Sequence, residues 1–331
     1  MSTPLNIAIV GATGSVGEAL VEILEERNFP VGELHLLASI ESAGKALAFR
    51  GKNVRVREVE AFDFARVGLV FFAAGEAVSR SFAPRAVEAG CAIVDLAGEL
   101  AAPAVVPEAN AHLFLAKRQA VSPCSPAVAV AVALAPLRQQ LAVRQVTVTA
   151  CLAVSSLGRE GVKELARQTA ELLNARPLEP QFFDRQVAFN VLAQVGTPDT
   201  VGHLMLEKRM AGQLREALEL PLLDVSATCV QVPVFFGDSL VLNVRAETPV
   251  DMGLIRAALS MAPGLELVED IGDYPTAVGD AVGQDAVYAG RLRPGLSDPC
   301  EFNLWLTLDN VRKGAALNAV QIAELLIKDL S

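Results

Sequence analysis

Residues 6–10 (NIAIV) run straight into Gly11-Ala12-Thr13-Gly14-Ser15-Val16-Gly17 and then into an amphipathic stretch over residues 18–27. No other feature restricts the fold of this chain so strongly. A short strand that is apolar from Ile7 on belongs in a sheet covered on both faces, and a strand that passes through a glycine turn directly into a helix opens a βαβ unit. Glycines at 11, 14 and 17 let the turn tighten and let backbone amides approach a pyrophosphate, whose charge the helix N-terminus stabilises. Gly11, Thr13, Gly14, Ser15 and Val16 are therefore the first candidates for contact with a dinucleotide. The competing reading is a tight turn that binds nothing.

Apolar runs at 34–38, 54–59, 69–73 and 92–95 alternate with amphipathic segments, one of them a helix expected over residues 79–89. That is the rhythm of a parallel sheet flanked by helices. The second strand ends in Ala38-Ser39-Ile40-Glu41-Ser42, where the ribose of a bound adenosine is normally read. An acidic side chain there accepts from a free 2′-hydroxyl and repels a 2′-phosphate. Glu41, with Ser39 and Ser42 beside it, argues for NAD over NADP unless it is only a solvated loop charge. After an apolar helix over residues 127–137 the texture changes. Residues 144–151 and 225–236 alternate as half-buried strands do, 162–173 and 204–218 carry helical spacing, 302–308 adds a strand and 314–328 a last amphipathic helix. The order predicts an α/β chain: a Rossmann-like dinucleotide-binding domain plus an α+β dimerisation and substrate domain on a mixed sheet with helices on one face.

Length and composition narrow the function. At 331 residues the chain exceeds what one core usually serves. A net charge of −10 opposes the approach of phosphate backbones, so no nucleic-acid partner is expected. The most apolar stretch, 127–137 (AVAVAVALAPL), falls well short of the ~20 residues needed to cross a bilayer, so no membrane association is expected either. Cys91, Cys124, Cys151, Cys229 and Cys300 are an odd set without paired spacing and read as free thiols of a reducing compartment. With no secretion signal legible, a cytoplasmic location is expected. His35, His112 and His203 are scattered, and no metal site is expected.

Several runs, taken together, carry a family likeness: GATGSVG from Gly11, LLAS and SAGK around residues 39–45, FFAAG at 71–75, VVPEAN at 105–110, Cys124-Ser125, AVSSLGREGV from Ala153, FNV from Phe189 and DNVRKGAALNAVQIAE over 309–324. They resemble the aspartate-semialdehyde dehydrogenase family, which reduces β-aspartyl phosphate to the semialdehyde with NADPH. Within it the chain is most similar to the Usg-type paralogues, members of undefined function. The resemblance implies a cofactor domain over residues 1–126 with 313–331, and a dimerisation and substrate-like domain over 127–312. It implies a homodimer, a cofactor contact at Gly75, and Gly314, Ala315 and Asn318 near the nicotinamide end.

The same resemblance marks what has changed. The family chemistry needs a thiolate, an oxyanion donor, an acid/base and cations for carboxylate and phosphate. Cys124 matches the nucleophile, and its place before the apolar helix should let the helix dipole lower its pKa. The alternative is an inert buried thiol. Leu152 stands where relatives carry a positioning glutamine, Gln231 where they carry the carboxylate-gripping arginine, and Asp238 where they carry the histidine acid/base. The asparagines before the cysteine are missing from Val121-Ser122-Pro123, and segment 95–103 (DLAGELAAP) has no arginine for phosphate. Leu206 and Arg209 replace a Glu and Lys pair, leaving Arg209 as the cation carried to the substrate side. Two readings follow. One is a family homologue that binds NAD(P), dimerises and lacks the authentic activity, its cleft holding NAD in preference to NADP or empty. The other is an NAD-dependent oxidoreductase, related to amino-acid biosynthesis, acting on a different aldehyde or acyl compound through Cys124. Groups that act as a unit lose most of their effect when one is removed, which favours the first.

Overall fold

The computed structural model describes residues 4–329, so residues 1–3 and 330–331 of the expected cofactor domain lie outside the described residues. The chain divides into two compact units, Met1–Pro123 with Ala315–Ser331, and Cys124–Gly314. The sequence reading drew these boundaries at 126/127 and 312/313. The division falls before the apolar helix, because that helix packs as a whole within the second unit.

The first unit runs β1 (Leu5–Val10), α1 (Ser15–Glu26), β2 (Val31–Ala38), β3 (Ala46–Phe49), β4 (Lys52–Glu58), β5 (Leu69–Phe72), α2 (Glu76–Glu88), β6 (Ala92–Asp95), α3 (Pro107–Asn110), α4 (His112–Lys117) and β7 (Gln119–Val121). These strands form one sheet in the order β3-β4-β2-β1-β5-β6-β7, parallel except for the β3–β4 hairpin. Alternation along β1 shows why its apolar run is unbroken. Ile7 and Ile9 join a core with Leu20, Ile23 and Leu24 of α1. Ala8 and Val10 face the other way, into a core with Phe62, Phe64 and Ala83. Full burial of each large apolar side chain contributes roughly 1.5–3 kcal/mol, and here both faces of the strand are used.

The second unit runs α5 (Ser125–Leu134), β8 (Val143–Leu152), α6 (Gly158–Leu173), α7 (Met205–Ala217), β9 (Asp224–Gln231), β10 (Asp238–Ala246), α8 (Met252–Ser260), β11 (Leu265–Val268), β12 (Val287–Pro294) and β13 (Glu301–Leu308). Its six-stranded sheet has the order β11-β12-β13-β10-β8-β9 and is mixed: β8–β9 and β11–β12 are parallel, the remaining pairs antiparallel. From Pro126 on, α5 is buried throughout, packed on α7 and the sheet. On β8 the inward residues Val146, Val148, Ala150 and Leu152 are buried, while Thr147 is exposed and Thr149 and Cys151 are partly so. The chain then returns to the first unit as α9 (Asn318–Asp329), whose Ala319, Val320 and Ile322 complete the core beside α1.

Some expected elements are shorter than the sequence pattern suggested: the last helix, read from 314, begins at Asn318, and the apolar helix, read to 137, ends at Leu134. The strand read over 225–236 ends at Gln231. Pro233 has no N–H for the ladder, Val234 N donates locally to Val232 O, and Gly237 sits at φ +89, so the chain turns before resuming as β10. No helix among the described residues is long and apolar enough to cross a membrane.

Candidate functional site

At the carboxyl ends of β1, β2, β4 and β5 lies a cleft of about 480 Å³, the edge at which open α/β sheets take ligands. Its floor is the glycine turn. Gly11 is at φ +89, and a Cβ there would lie 2.7 Å from the Ala73 carbonyl carbon and the Ala74 nitrogen. At Gly17 it would lie 2.2 Å from Gly11 O. Packing of the turn against β5 and of α1 against the turn therefore requires both. Gly14 is different: its missing Cβ would come no nearer than 3.4 Å, to Gly11 O, and the residue lines the cleft with Thr13. The space at the first turn of α1 is left for something outside the chain, which is the arrangement a pyrophosphate needs. These residues fit a dinucleotide.

Of the other cofactor candidates, Ser15 begins α1, and Val16 is half-buried against the core beneath it. Gly75 precedes α2 with open space where a Cβ would stand. Ser39 lines the cleft, but its hydroxyl donates to Glu41 at 3.0 Å, and Glu41 itself is not part of the lining. Ser42 lies 3.5 Å from Lys45 Nζ. Glu58 and Glu60 do line the cleft; sequence reasoning passed over them, although Glu58 ends the strand paired with β2. Asn318 is fully buried, its amide donating to Val105 O at 3.2 Å and Ser122 Oγ at 2.8 Å, so it ties α9 into the unit.

Segment 95–103 owes its shape to Asp95. This buried carboxylate accepts from Ser79 Oγ, Ala97 N, Glu99 N and Leu100 N. The exposed Arg80 of α2 reaches the same loop and is engaged by Glu99 at 2.6 Å.

Cys124, in the second unit, directly precedes α5. Its N–H donates to Gln213 Oε1 of α7 at 2.9 Å, and it is partly accessible. The expected lowering of its pKa is not found: burial pushes the thiol up to about 11, although the Ala127 N–H and the charge of Arg209 pull in the other direction. Arg209, half-buried on α7, is thus within electrostatic reach of the cysteine. Asp238 is fully buried at the start of β10. Its Oδ2 accepts from Ser125 Oγ at 2.8 Å and its Oδ1 from Ala153 N at 3.0 Å. Burial raises its pKa to about 6, against those two bonds and with a smaller upward push from Asp309.

Gln231 is buried beside Leu152, to whose carbonyl its amide donates at 2.6 Å. The Gln231 amide nitrogen is thus engaged by the backbone of the neighbouring strand, while its Oε1 is buried without a hydrogen-bond partner among the described residues. A hollow of about 740 Å³ next to Gln231 is bordered by Phe182, Arg185, Asn190 and Gln194. Arg185 pairs with Asp184, Asn190 donates to Gln186 O, and Gln194 donates to Gly196 O. Gly314 approaches α5 closely: a Cβ there would lie 2.4 Å from Ser125 Oγ. Among the described residues no group of three or more His, Cys, Asp or Glu side chains could hold a metal ion.

A nucleotide-type cleft on a parallel sheet, and a cysteine before a buried helix in a mixed-sheet unit, define a two-domain dehydrogenase fold. Residues 6–116 match the semialdehyde dehydrogenase NAD-binding domain and residues 134–313 the semialdehyde dehydrogenase dimerisation domain. The chain is 60% identical to a USG-1 protein homolog of Azotobacter vinelandii over 99% of both chains. The structure of a probable aspartate-semialdehyde dehydrogenase from Pseudomonas aeruginosa superposes with a TM-score of 0.95 at 55% identity, covering 98% of this chain and 99% of that one. Aspartate-semialdehyde dehydrogenase II from Vibrio cholerae, solved in complex with ASA, gives a TM-score of 0.95 at 41% identity over 99% of both chains. The chain belongs to the aspartate-semialdehyde dehydrogenase family.

Proposed function

We propose that this family member binds a dinucleotide and dimerises but does not reduce β-aspartyl phosphate at a biosynthetic rate. The observation that carries this reading is Asp238, at the family's acid/base position, with one oxygen given to Ser125 Oγ and the other to Ala153 N. A carboxylate held in this way anchors the start of α5 to β8 and β10. It does not offer a base to the thiol, which burial pushes up to about 11 and so keeps protonated at neutral pH. Gln231, spent on Leu152 O, supplies no charge to a substrate carboxylate.

When bound, the nicotinamide cofactor would supply hydride chemistry. Gly11, Thr13 and Gly14 would hold its pyrophosphate. The acidic rim of the cleft, Glu58 and Glu60, favours NAD over NADP, because a 2′-phosphate would meet like charge there. Free thiols at all five cysteines suit a reducing cytoplasm. The homodimer is supported by the match of the second unit to a dimerisation domain and by an open sheet face carrying Thr147, Thr149 and Val241.

Expression in a strain without its own aspartate-semialdehyde dehydrogenase tests the reading. No growth rescue is expected, nor any rescue by Asp238→His alone, since cation and positioning amide remain absent. Complementation by the unaltered chain would refute it.

A further inference from the structure

We propose that Gln213 withholds the backbone N–H of Cys124 from an oxyanion forming on a carbonyl attacked by its thiolate, so that removing the Gln213 side-chain oxygen makes Cys124 a faster acyl acceptor. Gln213 is a positioning residue in this sense, acting through Cys124. This rests on the reading of Cys124 as the retained nucleophile position, and Gln213 is not part of that reading.

When a side chain attacks a carbonyl, the charge that develops on oxygen is commonly met by the attacking residue's own N–H, which shares its Cα, together with a second donor. In Cys124 that N–H is taken, because it donates to Gln213 Oε1 at 2.9 Å. Gln213 lies on the buried side of α7 with Met210, Leu214 and Ala217, and α7 packs on α5. A half-rotation of its amide would set Nε2 against the Cys124 N–H, donor to donor, so the site enforces the accepting orientation. The following positions do not make up the loss. Pro126 has no N–H, and Ala127 N and Val128 N donate to Cys124 O at 2.9 and 3.0 Å. Ser125 Oγ donates to Asp238. That leaves Ser125 N where two donors are usual. Arg209, one turn earlier on α7, acts on the thiol in the opposite sense, since its charge favours the thiolate.

Two reactions of the full-length protein, whose Cys124 is partly accessible, separate a withheld donor from a merely structural tie. With p-nitrophenyl acetate the thiolate attacks the carbonyl carbon and forms the S–C bond, while the carbonyl electron pair moves onto oxygen. Collapse breaks the C–O bond and releases p-nitrophenolate, the thiol proton having gone to solvent. With iodoacetamide the same thiolate displaces iodide in one step, and no oxyanion forms at the reacting carbon. Both rates scale with the thiolate fraction, so the ratio of acylation to alkylation reports the donor. It is taken at one alkaline pH and read at Cys124 by peptide mass spectrometry. Gln213→Leu is expected to raise the ratio about tenfold, less than a fully preorganised oxyanion donor gives because water solvates part of the freed N–H. Gln213→Met, close in shape to glutamine and only a weak acceptor, should do the same and serves if Gln213→Leu fails to fold. Gln213→Glu keeps an acceptor and should leave the ratio within about twofold, even though its charge slows both reactions. An unchanged ratio in the Leu and Met variants, or an equal rise in Gln213→Glu, would overturn the proposal while leaving Cys124 as the nucleophile position. Absence of Cys124 acylation in all of these proteins would overturn both.

Discussion

Asp238 is fully buried at the start of β10, where it accepts hydrogen bonds from Ser125 Oγ and Ala153 N. A buried carboxylate whose folded pKa is about 6, against 3.8 in the unfolded chain, binds more protons folded than unfolded between those values. Its contribution to stability therefore falls as pH rises through the window from about 4 to 6 and stays low above it. The two-unit difference corresponds to at most about 3 kcal/mol, an upper figure because the surroundings relax. Asparagine keeps the acceptor toward Ala153 N and lets Ser125 Oγ accept instead, with no charge to bury. Asp238→Asn should accordingly be more stable than the unaltered protein at pH 8 by about 1–3 kcal/mol, with the gap closing toward pH 4. Urea unfolding at a series of pH values measures it, and a gap independent of pH would show that Asp238 is not titrating in the interior.

At the level of the strand, turn and helix, the three glycines of the first turn divide into two kinds. Gly11→Ala and Gly17→Ala each drive a Cβ into backbone, at 2.7 Å and 2.2 Å respectively, so β5 or α1 must move. Each should cost about 2 kcal/mol or more. Gly14→Ala meets nothing closer than 3.4 Å within the chain, and at a helix N-cap the exchange costs only some tenths to about 1 kcal/mol. Its effect should appear in the ligand instead: near-normal melting temperature, with NAD affinity reduced tenfold or more. Paired thermal unfolding and calorimetry on the three variants check this, and a Gly14→Ala protein that melts normally and binds NAD normally would remove the turn from the binding site.

The whole molecule is expected to be a homodimer built on the second unit. The sheet formed by β8 to β13 has helices against one face, while on the other Val241 is 41% exposed and is flanked in register by Thr149 and Trp305. An apolar and hydroxyl-bearing strand face of this kind is stabilised when a second copy covers it, and closed two-fold symmetry is the commonest way to do so. Light scattering after size exclusion at low micromolar concentration should give twice the 34.9 kDa chain mass, and Val241→Arg should shift it toward monomer. A monomeric unaltered protein would refute the interface and any scaffold role resting on it.

Local pattern was sufficient for the strand at the start of the chain, the glycine turn, the buried helix after Cys124 and the final helix, because apolar periodicity and glycine placement are written residue by residue. It shows Leu152, Gln231 and Asp238 as identities, and their replacement of family chemistry is the reading proposed above. It did not find β10, β12 or α8, whose signals depend on what packs against them, and it carried the strand at 225 past Pro233 to Phe236. Only the tertiary structure decided that the cleft is lined by Glu58 and Glu60 and not by Glu41, because that depends on β4 lying beside β2 in the sheet. The same holds for the cysteine. Sequence alone placed Cys124 before a helix and implied a lowered pKa, whereas the folded surroundings raise it, because loss of water around the thiol outweighs the amides and the Arg209 charge that favour the thiolate.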